Sequence, residues 1–418
     1  MSEEPKEIQP QGLALEPSRY LSVNLGDEQE LAKDLAALSD LPEVALRDKL
    51  KSLVKQHQNR REWLWSELGL SPYLEMLVAL CEVEILTRSV FSGPDVEAMA
   101  QAYQKQHWQT DGAAIEAMAK ACDDAQRKLV ADILAVIYTP WLSQVAENFQ
   151  RLVQESGYPG GAQNQINEAR SVYQVSSQII FFIDGLRFDV GQKLLRRLQG
   201  KKQITATLET NWAALPSLTA TAKAAVTPVH DLLSGSMGTE DFIPMQIQTE
   251  QAFSSHFLEK LLKERDWQYL ERGEIGDASG KAWVQTGDLD EAGHHAQLAL
   301  PSHINKILAE IEARIDGLLA AGWRHIRLVT DHGWLWVPDK LPKADLPKDA
   351  TTKRFSRCAI LKSNVATERL SQPWYWNDKV RVAMAPGISG FIAGDCYNHG
   401  GLTLQECLTP VINIHVQD

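Results

Sequence analysis

The feature that most constrains the fold is a pair of short apolar runs, each of which ends abruptly in an aspartate. One run, QIIFFI, precedes Asp184, and the other, HIRLVT, precedes Asp331. Short runs rich in β-branched and aromatic residues are typical of strands buried on both faces of a parallel sheet. Because open α/β sheets bind ligands at the carboxyl ends of their strands, we expect Asp184 and Asp331 to lie in one crevice.

Helical spacing accompanies these two predicted strands. Apolar residues recur at helical steps over residues 190–198, after the first strand, and over 304–319, before the second. Strands that alternate with helices in this way predict a layered α/β domain.

The first part of the chain has helical spacing almost throughout. Leucines recur at three- and four-residue steps over residues 31–53, and residues 113–153 are rich in Ala, Leu, Glu and Lys. The uncharged segment GYPGGAQNQ that follows combines turn-forming residues with amides and is typical of a linker. We therefore predict a helical bundle for support or interaction over 1–156, a linker over 157–172 and an α/β domain over 173–418.

Charge and composition exclude several classes of protein. The formal net charge is −12, of which residues 1–165 carry −10, from 15 basic and 25 acidic side chains. The chain therefore lacks the broad basic footprint of a non-specific nucleic-acid binder. No stretch approaches the roughly 20 apolar residues of a membrane helix, and the five cysteines form no CxxC pair. We expect a cytoplasmic protein without membrane attachment.

Further His and Asp residues add to the two strand-end aspartates. His332 directly follows Asp331, and Asp290 and His294 would share one face of a helix because they are four residues apart. His399 lies in a glycine-rich loop. Together these residues are the inventory of a two-metal site. Taken alone, Asp-Gly at 184–185 is more simply explained as a turn. Asp288 is an alternative ligand to Asp290, and His295 is an alternative ligand to His294.

Hydroxyl side chains lie between the two predicted strands. The segment LPSLTAT at 215–221 offers three hydroxyls before a predicted helix. A hydroxyl at a helix start beside a metal can attack phosphorus, whereas Ser and Thr there are more often helix caps. Ser217 and Thr219 are the candidate nucleophiles in this segment.

Three arginines are candidates for binding a substrate phosphate. Residues 351–362 have a charge of +4 and no acid, and Arg354 and Arg357 could grip a phosphate between them. A solvated basic loop explains the same residues equally well. Arg187, three residues after Asp184, could contact substrate, orient that carboxylate or form a structural salt bridge.

Five segments, taken in order, resemble the motifs of the alkaline phosphatase superfamily. Within it, residues 175–418 are most similar to the PglZ-domain proteins of BREX-type phage-defence systems. The Asp-Gly-Leu-Arg opening, the Thr-Asp-His-Gly strand end and the closing His-Gly-Gly-Leu-Thr-Leu-Gln-Glu are the most specific pieces. The five segments are Asp184-Gly185-Leu186-Arg187, Pro216-Ser217-Leu218-Thr219, Asp290 with His294, Thr330-Asp331-His332-Gly333, and His399-Gly400-Gly401.

The resemblance implies a fold and a set of site residues. The fold is α/β, an alkaline-phosphatase-like sheet flanked by helices, preceded here by the all-α domain. One divalent metal would be held by Asp184, Asp331 and His332, with Thr219 beside it as the catalytic nucleophile. The other would be held by Asp290, His294 and His399. Zn²⁺ is the expected ion and Mn²⁺ the alternative.

The resemblance also implies an activity and partners. The expected protein is a metal-dependent phosphatase or phosphodiesterase that hydrolyses nucleic-acid or nucleotide phosphoesters beside other BREX-type defence proteins. The alternatives are a non-catalytic scaffold of the defence complex and a housekeeping phosphatase. Phosphoglycerate mutases are argued against because only residues 220–289 separate Thr219 from Asp290, too few for their inserted domain. Sulfatases are argued against because the Cys/Ser-x-Pro-x-Arg pattern is missing from the nucleophile segment.

Overall fold

The computed structural model describes residues 18, 20–161, 177–362, 370–392 and 394–417. Its centre is a mixed six-stranded sheet flanked by helices, and a helical part precedes the sheet in the chain. The predicted α/β fold class is therefore confirmed.

The helical part begins at α1 and ends at α8. Side-chain caps start two of its helices: Asp95 accepts a hydrogen bond from Ala98 N, and Asp123 accepts one from Gln126 N, each at 2.8 Å. Its helices are α1 (Leu21–Ala36), α2 (Glu43–His57), α3 (Leu64–Glu67), α4 (Pro72–Leu86), α5 (Val96–Ala102), α6 (Trp108–Ala119), α7 (Asp124–Ile137) and α8 (Thr139–Ser156).

No single helix in the described part of the chain is long and apolar enough to cross a membrane. Only α7 and α8 taken together, with a bend of 48° between them, reach that length and composition.

Strands and helices alternate after residue 177. The strands are β1 (Gln178–Asp184), β2 (Ile204–Trp212), β3 (Leu233–Ser234), β4 (Met245–Gln246), β5 (Trp267–Leu270), β6 (Lys281–Asp288), β7 (His325–Val329), β8 (Leu335–Trp336), β9 (Thr351–Arg354), β10 (Cys358–Leu361), β11 (Ser371–Trp374), β12 (Asn377–Met384), β13 (Tyr397–Asn398) and β14 (Leu408–Val416). The helices are α9 (Phe188–Gln199), α10 (Thr219–Ala225), α11 (Ser255–Lys263), α12 (Leu289–Ala296), α13 (Leu300–Ala320) and α14 (Leu404–Cys407).

The central sheet has the strand order β2-β14-β7-β1-β6-β5. The two strands predicted from the apolar runs, β1 and β7, are parallel neighbours, with Phe182 opposite Val329. Parallel pairing also joins β1 to β6, whereas β14 runs antiparallel to both β7 and β2. Because β1 and β7 are parallel and in register, their carboxyl ends lie at the same edge of the sheet.

The side chains of β1 alternate between two hydrophobic cores. Ile179, Phe181 and Ile183 join the large core that also contains the helical part, and Ile180 and Phe182 join a smaller core with α11. This explains why the run is apolar at every position. The buried apolar side chains of the helical part and of the sheet form one continuous cluster.

A second, antiparallel sheet of order β11-β12-β10-β9 follows β7 in the chain. The basic segment 351–362, which could have been a solvated loop, forms β9 and β10 of this sheet. The strand β10 is buried along its length, while Thr352 and Lys353 of β9 are exposed.

The predicted linker begins in a packed segment. The hydroxyl of Tyr158 donates to Ala213 O at 2.7 Å, and Gly160 lies against the side chain of Trp212. Residues 162–172 of that linker, and 173–176 at the start of the predicted α/β domain, lie outside the described residues. The division into a helical domain, a linker and an α/β domain stays a prediction.

Candidate metal centre

Three predicted ligands meet at the edge of the sheet where β1 and β7 end. Ligand atoms of Asp184, Asp331 and His332 all lie within 4.8 Å of one another, and we call these three residues the inner group. Gly185 turns the chain after Asp184 with a φ of 70°, a conformation that favours glycine. The juxtaposition follows from the parallel pairing of the two strands.

Backbone groups fix the inner group from one side only. His332 N donates to Asp331 Oδ1 at 3.0 Å, and Gly185 N donates to the same oxygen at 3.4 Å. Among the described residues, the other oxygen, Asp331 Oδ2, and Asp184 Oδ1 are buried without a hydrogen-bond partner. His332 Nε2 lies 3.5 Å from the first oxygen and 3.7 Å from the second. Buried carboxylate oxygens are normally paired or bind a metal. This donor set therefore fits a divalent cation.

The remaining predicted ligands, Asp290, His294 and His399, lie beside the inner group, and we call them the outer group. Asp290 and His294 share a face of α12, with 3.5 Å between Asp290 Oδ2 and His294 Nε2. His399 Nε2 lies 3.4 Å from Asp290 Oδ1 and 3.2 Å from His294 Nε2. Because His332 also lies within 4.8 Å of Asp290 and His399, the two groups are contiguous.

The two neighbouring alternatives point elsewhere. Asp288 ends β6 and is exposed. The side chain of His295 is 81% exposed, and its nearest carboxylate is Glu291, at 3.9 Å. Neither side chain joins the ligand atoms of the outer group.

Hydrogen bonds to backbone carbonyls select the ring nitrogens that face the centre. His332 Nδ1 donates to Gly333 O at 2.9 Å, and His399 Nδ1 donates to Ser217 O at 3.0 Å. A carbonyl can only accept, so Nδ1 carries the proton in both rings and Nε2 is left as a potential ligand.

Thr219, the first residue of α10, presents its hydroxyl to the inner group. Its Oγ1 lies 3.0 Å from His332 Nε2. The other candidate, Ser217, is fully buried and its hydroxyl donates to Gly401 O at 2.9 Å. Of the two candidate nucleophiles, only Thr219 has its hydroxyl beside the metal-ligand atoms.

Burial and mutual repulsion set the protonation of the carboxylates. Burial and the neighbouring charge of Asp290 raise the pKa of Asp331 to about 7, and burial followed by the charge of Asp331 raises the pKa of Asp184 well above its usual value. Burial would also raise the pKa of Asp290, but the surrounding imidazoles hold it below its usual value. Burial lowers the pKa of His399 to about 4. The two inner carboxylates therefore repel each other, and a bound cation would relieve this repulsion.

Two residues that the sequence analysis missed belong to this environment. Lys223, one turn after Thr219, is buried, donates to Gln285 Oε1 at 2.8 Å and lies 4.9 Å from the ring centre of Phe182. Its charge acts to lower the pKa of both inner carboxylates. Tyr397 donates its hydroxyl to Asp290 Oδ1 at 2.8 Å. The spacing of Lys223 from Thr219 was a usable signal, but nothing local marked Tyr397.

The predicted phosphate-binding arginines are engaged by other groups of the protein. Arg187 is fully buried and forms two hydrogen bonds to Asp189, at 2.5 and 2.7 Å, while its guanidinium lies 3.7 Å from the ring centre of Trp334. Of the three roles considered for Arg187, the structure shows the salt bridge, and full burial leaves no surface for a substrate. Its Nη1 has no hydrogen-bond partner among the described residues.

The pair Arg354 and Arg357 does not form a phosphate clamp. Arg357 is fully buried and binds Glu406 through Nε at 3.2 Å and Nη2 at 2.9 Å. Arg354 donates to Leu346 O and Thr351 Oγ1 from β9. Arg357 therefore has no exposed surface for a substrate, which corrects its predicted role, whereas phosphate binding by the partly exposed Arg354 stays a prediction.

The fold and the centre define an α/β protein with two contiguous groups of potential metal ligands. Residues 164–269 match the family model described as the BREX system PglZ alkaline phosphatase-like domain. The match confirms the resemblance predicted from the sequence motifs. No curated protein matches the chain.

Several solved structures are similar to the chain at low identity. Murine ectonucleotide pyrophosphatase/phosphodiesterase 5 is 13% identical, with a TM-score of 0.36, over 58% of this chain and 88% of that one. The human protein of the same name is 12% identical over the same shares, also with a TM-score of 0.36. An inactive variant of the murine protein in complex with AMP is 10% identical over the same shares, with a TM-score of 0.32.

Proposed function

We propose that this chain is a metal-dependent phosphohydrolase that acts on phosphodiesters of nucleic acids or nucleotides in a BREX-type phage-defence system. One observation carries the proposal: the hydroxyl of Thr219 lies 3.0 Å from His332 Nε2, in a centre with two buried carboxylate oxygens that have no hydrogen-bond partner among the described residues. The match of residues 164–269 to the PglZ alkaline phosphatase-like domain supports the reaction class and the defence context.

The residues of the chain divide the work of the reaction. Asp184, Asp331 and His332 would hold one divalent ion, and Asp290, His294 and His399 the other, with Zn²⁺ proposed and Mn²⁺ as the alternative. When bound, two such ions supply positive charge that stabilises phosphoryl oxygens and lowers the pKa of a nearby hydroxyl.

Thr219 is the proposed nucleophile. Its Oγ1 forms a bond to phosphorus while the bond from phosphorus to the departing alkoxide breaks. The hydroxyl proton passes to solvent, and the departing alcohol takes a proton from solvent. Water then hydrolyses the bond between phosphorus and Thr219 Oγ1, which releases the remaining phosphomonoester and restores the hydroxyl. The hydrogen bond from His399 Nδ1 to Ser217 O ties the segment before Thr219 to the outer group and so orients the hydroxyl.

The setting of the protein is part of the same proposal. We place the chain in the cytoplasm with other BREX-type defence proteins as partners. The helical part over 1–156, with its charge of −10 up to residue 165, is the proposed support and contact surface for them.

The first measurement is the metal content of the purified, unchelated protein, followed by hydrolysis of phosphomonoesters, phosphodiesters and nucleotide substrates. About two ions per chain are expected, with hydrolysis that Thr219→Ala reduces to background without loss of metal. Thr249→Ala, at an exposed threonine away from the centre, is the matched control. A folded protein that neither contains nor takes up metal would contradict the proposal and favour a non-catalytic scaffold of the defence complex.

A further inference from the structure

A buried carboxylate of the helical part reaches the loops that carry the metal ligands. Asp111 lies on α6 and is fully buried. Its Oδ2 accepts from Tyr103 OH at 2.6 Å and from Gln405 Nε2 at 3.0 Å, and its Oδ1 accepts from Tyr138 OH at 2.6 Å. Two of these donors belong to the helical part, but Gln405 is on α14, in the chain segment that follows His399.

Gln405 packs directly against Gly333, the residue after His332. A Cβ added to Gly333 would overlap Gln405 O, so the two backbones are in close contact. Next to this contact, Gly333 N donates to Glu406 O at 3.0 Å. Since Gly333 O also accepts from His332 Nδ1, the position of Gln405 sets the position of the carbonyl that orients His332.

Asp111 also lies near the salt bridge of Arg187, which comes shortly after Asp184, because Gly112 lies against Asp189, the carboxylate that pairs with Arg187. The charge of Asp111 is one of those that favour the charged form of Arg187. The guanidinium lies over Trp334, and Trp334 Nε1 donates to Gly185 O at 2.9 Å, beside Asp184. Asp111 is therefore linked to the loops after β1 and β7 by two separate routes.

We propose that Asp111 is a positioning residue of the metal centre: its negative charge holds Gln405 and Arg187 in place, and these fix the inner group. The inference rests on the proposed metal centre. It assigns a site function to a residue of the helical part that touches neither metal ligands nor substrate.

The test is the affinity of chelator-stripped protein for Zn²⁺, measured by competition with a chromophoric chelator, next to thermal unfolding in chelator. Asp111→Asn keeps the size of the side chain but removes its charge and one acceptor. We expect the Zn²⁺ affinity to fall about tenfold, as for losses of partners that orient metal ligands.

The matched control is Glu84→Gln, also in the helical part. Glu84 is fully buried and binds Arg88 at 2.8 and 3.1 Å. This variant is expected to lose stability but to keep the Zn²⁺ affinity of the wild type, because Glu84 has no route to the ligand loops. A merely structural role of Asp111 would give the same pattern as Glu84→Gln.

A second variant tests whether a negative charge on Gln405, on the other side of the hydrogen bond, can replace the charge of Asp111. The double variant Asp111→Asn/Gln405→Glu places the carboxylate across the same hydrogen bond, and we expect it to regain most of the Zn²⁺ affinity. If Asp111→Asn does not fold, Gln405→Met, which keeps the size and deletes the donor, is expected to weaken Zn²⁺ binding instead.

The outcomes separate this inference from the proposed function. The positioning role would be overturned if Asp111→Asn bound Zn²⁺ with the affinity of the wild type. Where Gln405→Met replaces that variant, the same result would overturn it. It would also be overturned if the double variant did not regain Zn²⁺ affinity. A wild-type protein that binds Zn²⁺ but hydrolyses nothing would contradict only the proposed activity.

Discussion

The inner and outer groups of the metal centre differ in how far water can reach their side chains. In the inner group, the side chains of Asp331 and His332 are fully buried, and that of Asp184 is 26% exposed. In the outer group, the side chain of His294 is 47% exposed, whereas those of Asp290 and His399 are 15% and 9% exposed. The inner ligands are fixed by the ends of two parallel strands, and the outer ones by a short helix and a loop.

The two groups also compensate charge differently. The inner carboxylates keep unpartnered oxygens, and the one nearby ammonium with a described effect on both, that of Lys223, donates its hydrogen bond to Gln285. In the outer group, Asp290 is surrounded by imidazoles and by the hydroxyl of Tyr397. We infer that the inner group binds a cation more tightly and that the outer group exchanges its cation more readily.

Loss of an inner carboxylate has the largest expected effect. Asp331→Ala removes the buried oxygen that lacks a protein partner, and we expect both hydrolysis and inner-group metal to be lost. Metal content per folded chain and turnover of a diester substrate measure this. If Asp331→Ala kept its full metal content, the inference that the inner group binds its cation more tightly would be wrong.

His294→Ala is expected to have a smaller effect. The variant removes the most exposed ligand of the outer group, so we expect the metal affinity of that group to fall at least about 10-fold. The total metal content of the protein should fall only after mild chelation. Stepwise metal release during chelator titration is the measurement. Simultaneous loss of both ions would show that the groups are not independent.

Tyr397→Phe tests the support of the outer group with less disturbance. The ring packs against Gly293 and stays in place, while the hydrogen bond to Asp290 is lost. We expect outer-group affinity to fall by about 10-fold or less and the inner group to be unchanged. The same chelator titration reads this out, with Tyr375→Phe as an aromatic control outside the outer group.

Lys223→Met has the smallest expected effect and the opposite sign. Removing the ammonium relieves repulsion of a cation in the inner group, so metal affinity should rise a few-fold. In chelator the same variant should unfold at a lower temperature, because the inner carboxylates lose their nearest compensating charge. An affinity that falls instead would mean that Lys223 organises the ligands rather than opposing the cation.

The parts of the centre that the sequence predicted depend on local patterns. The apolar runs marked β1 and β7, and the four-residue spacing placed Asp290 and His294 on one face of α12. Parallel pairing then brings the strand ends together without further information. The fold class could be predicted for the same reason.

The parts that the sequence did not predict depend on contacts between distant segments. Arg357 resembled a phosphate ligand because its partner, Glu406, is remote in sequence and the two meet only after folding. Lys223 and Gln285 are a similar case. The basic segment 351–362 resembled a loop because β9 exposes charged side chains while its neighbour β10 is buried.

The position of β14 in the sheet has a consequence for synthesis on the ribosome. The edge strand β2 is joined to the other strands only through β14, and residues 213–407 lie between the two in the chain. At about 5–20 residues per second, β2 must wait on the order of 10–40 s for the strand that holds it. The ligands of the two groups alternate along the chain, so the inner group is complete only after His332 is made and the outer group only after His399. A nascent chain halted before β14 would therefore expose an incomplete sheet to chaperones.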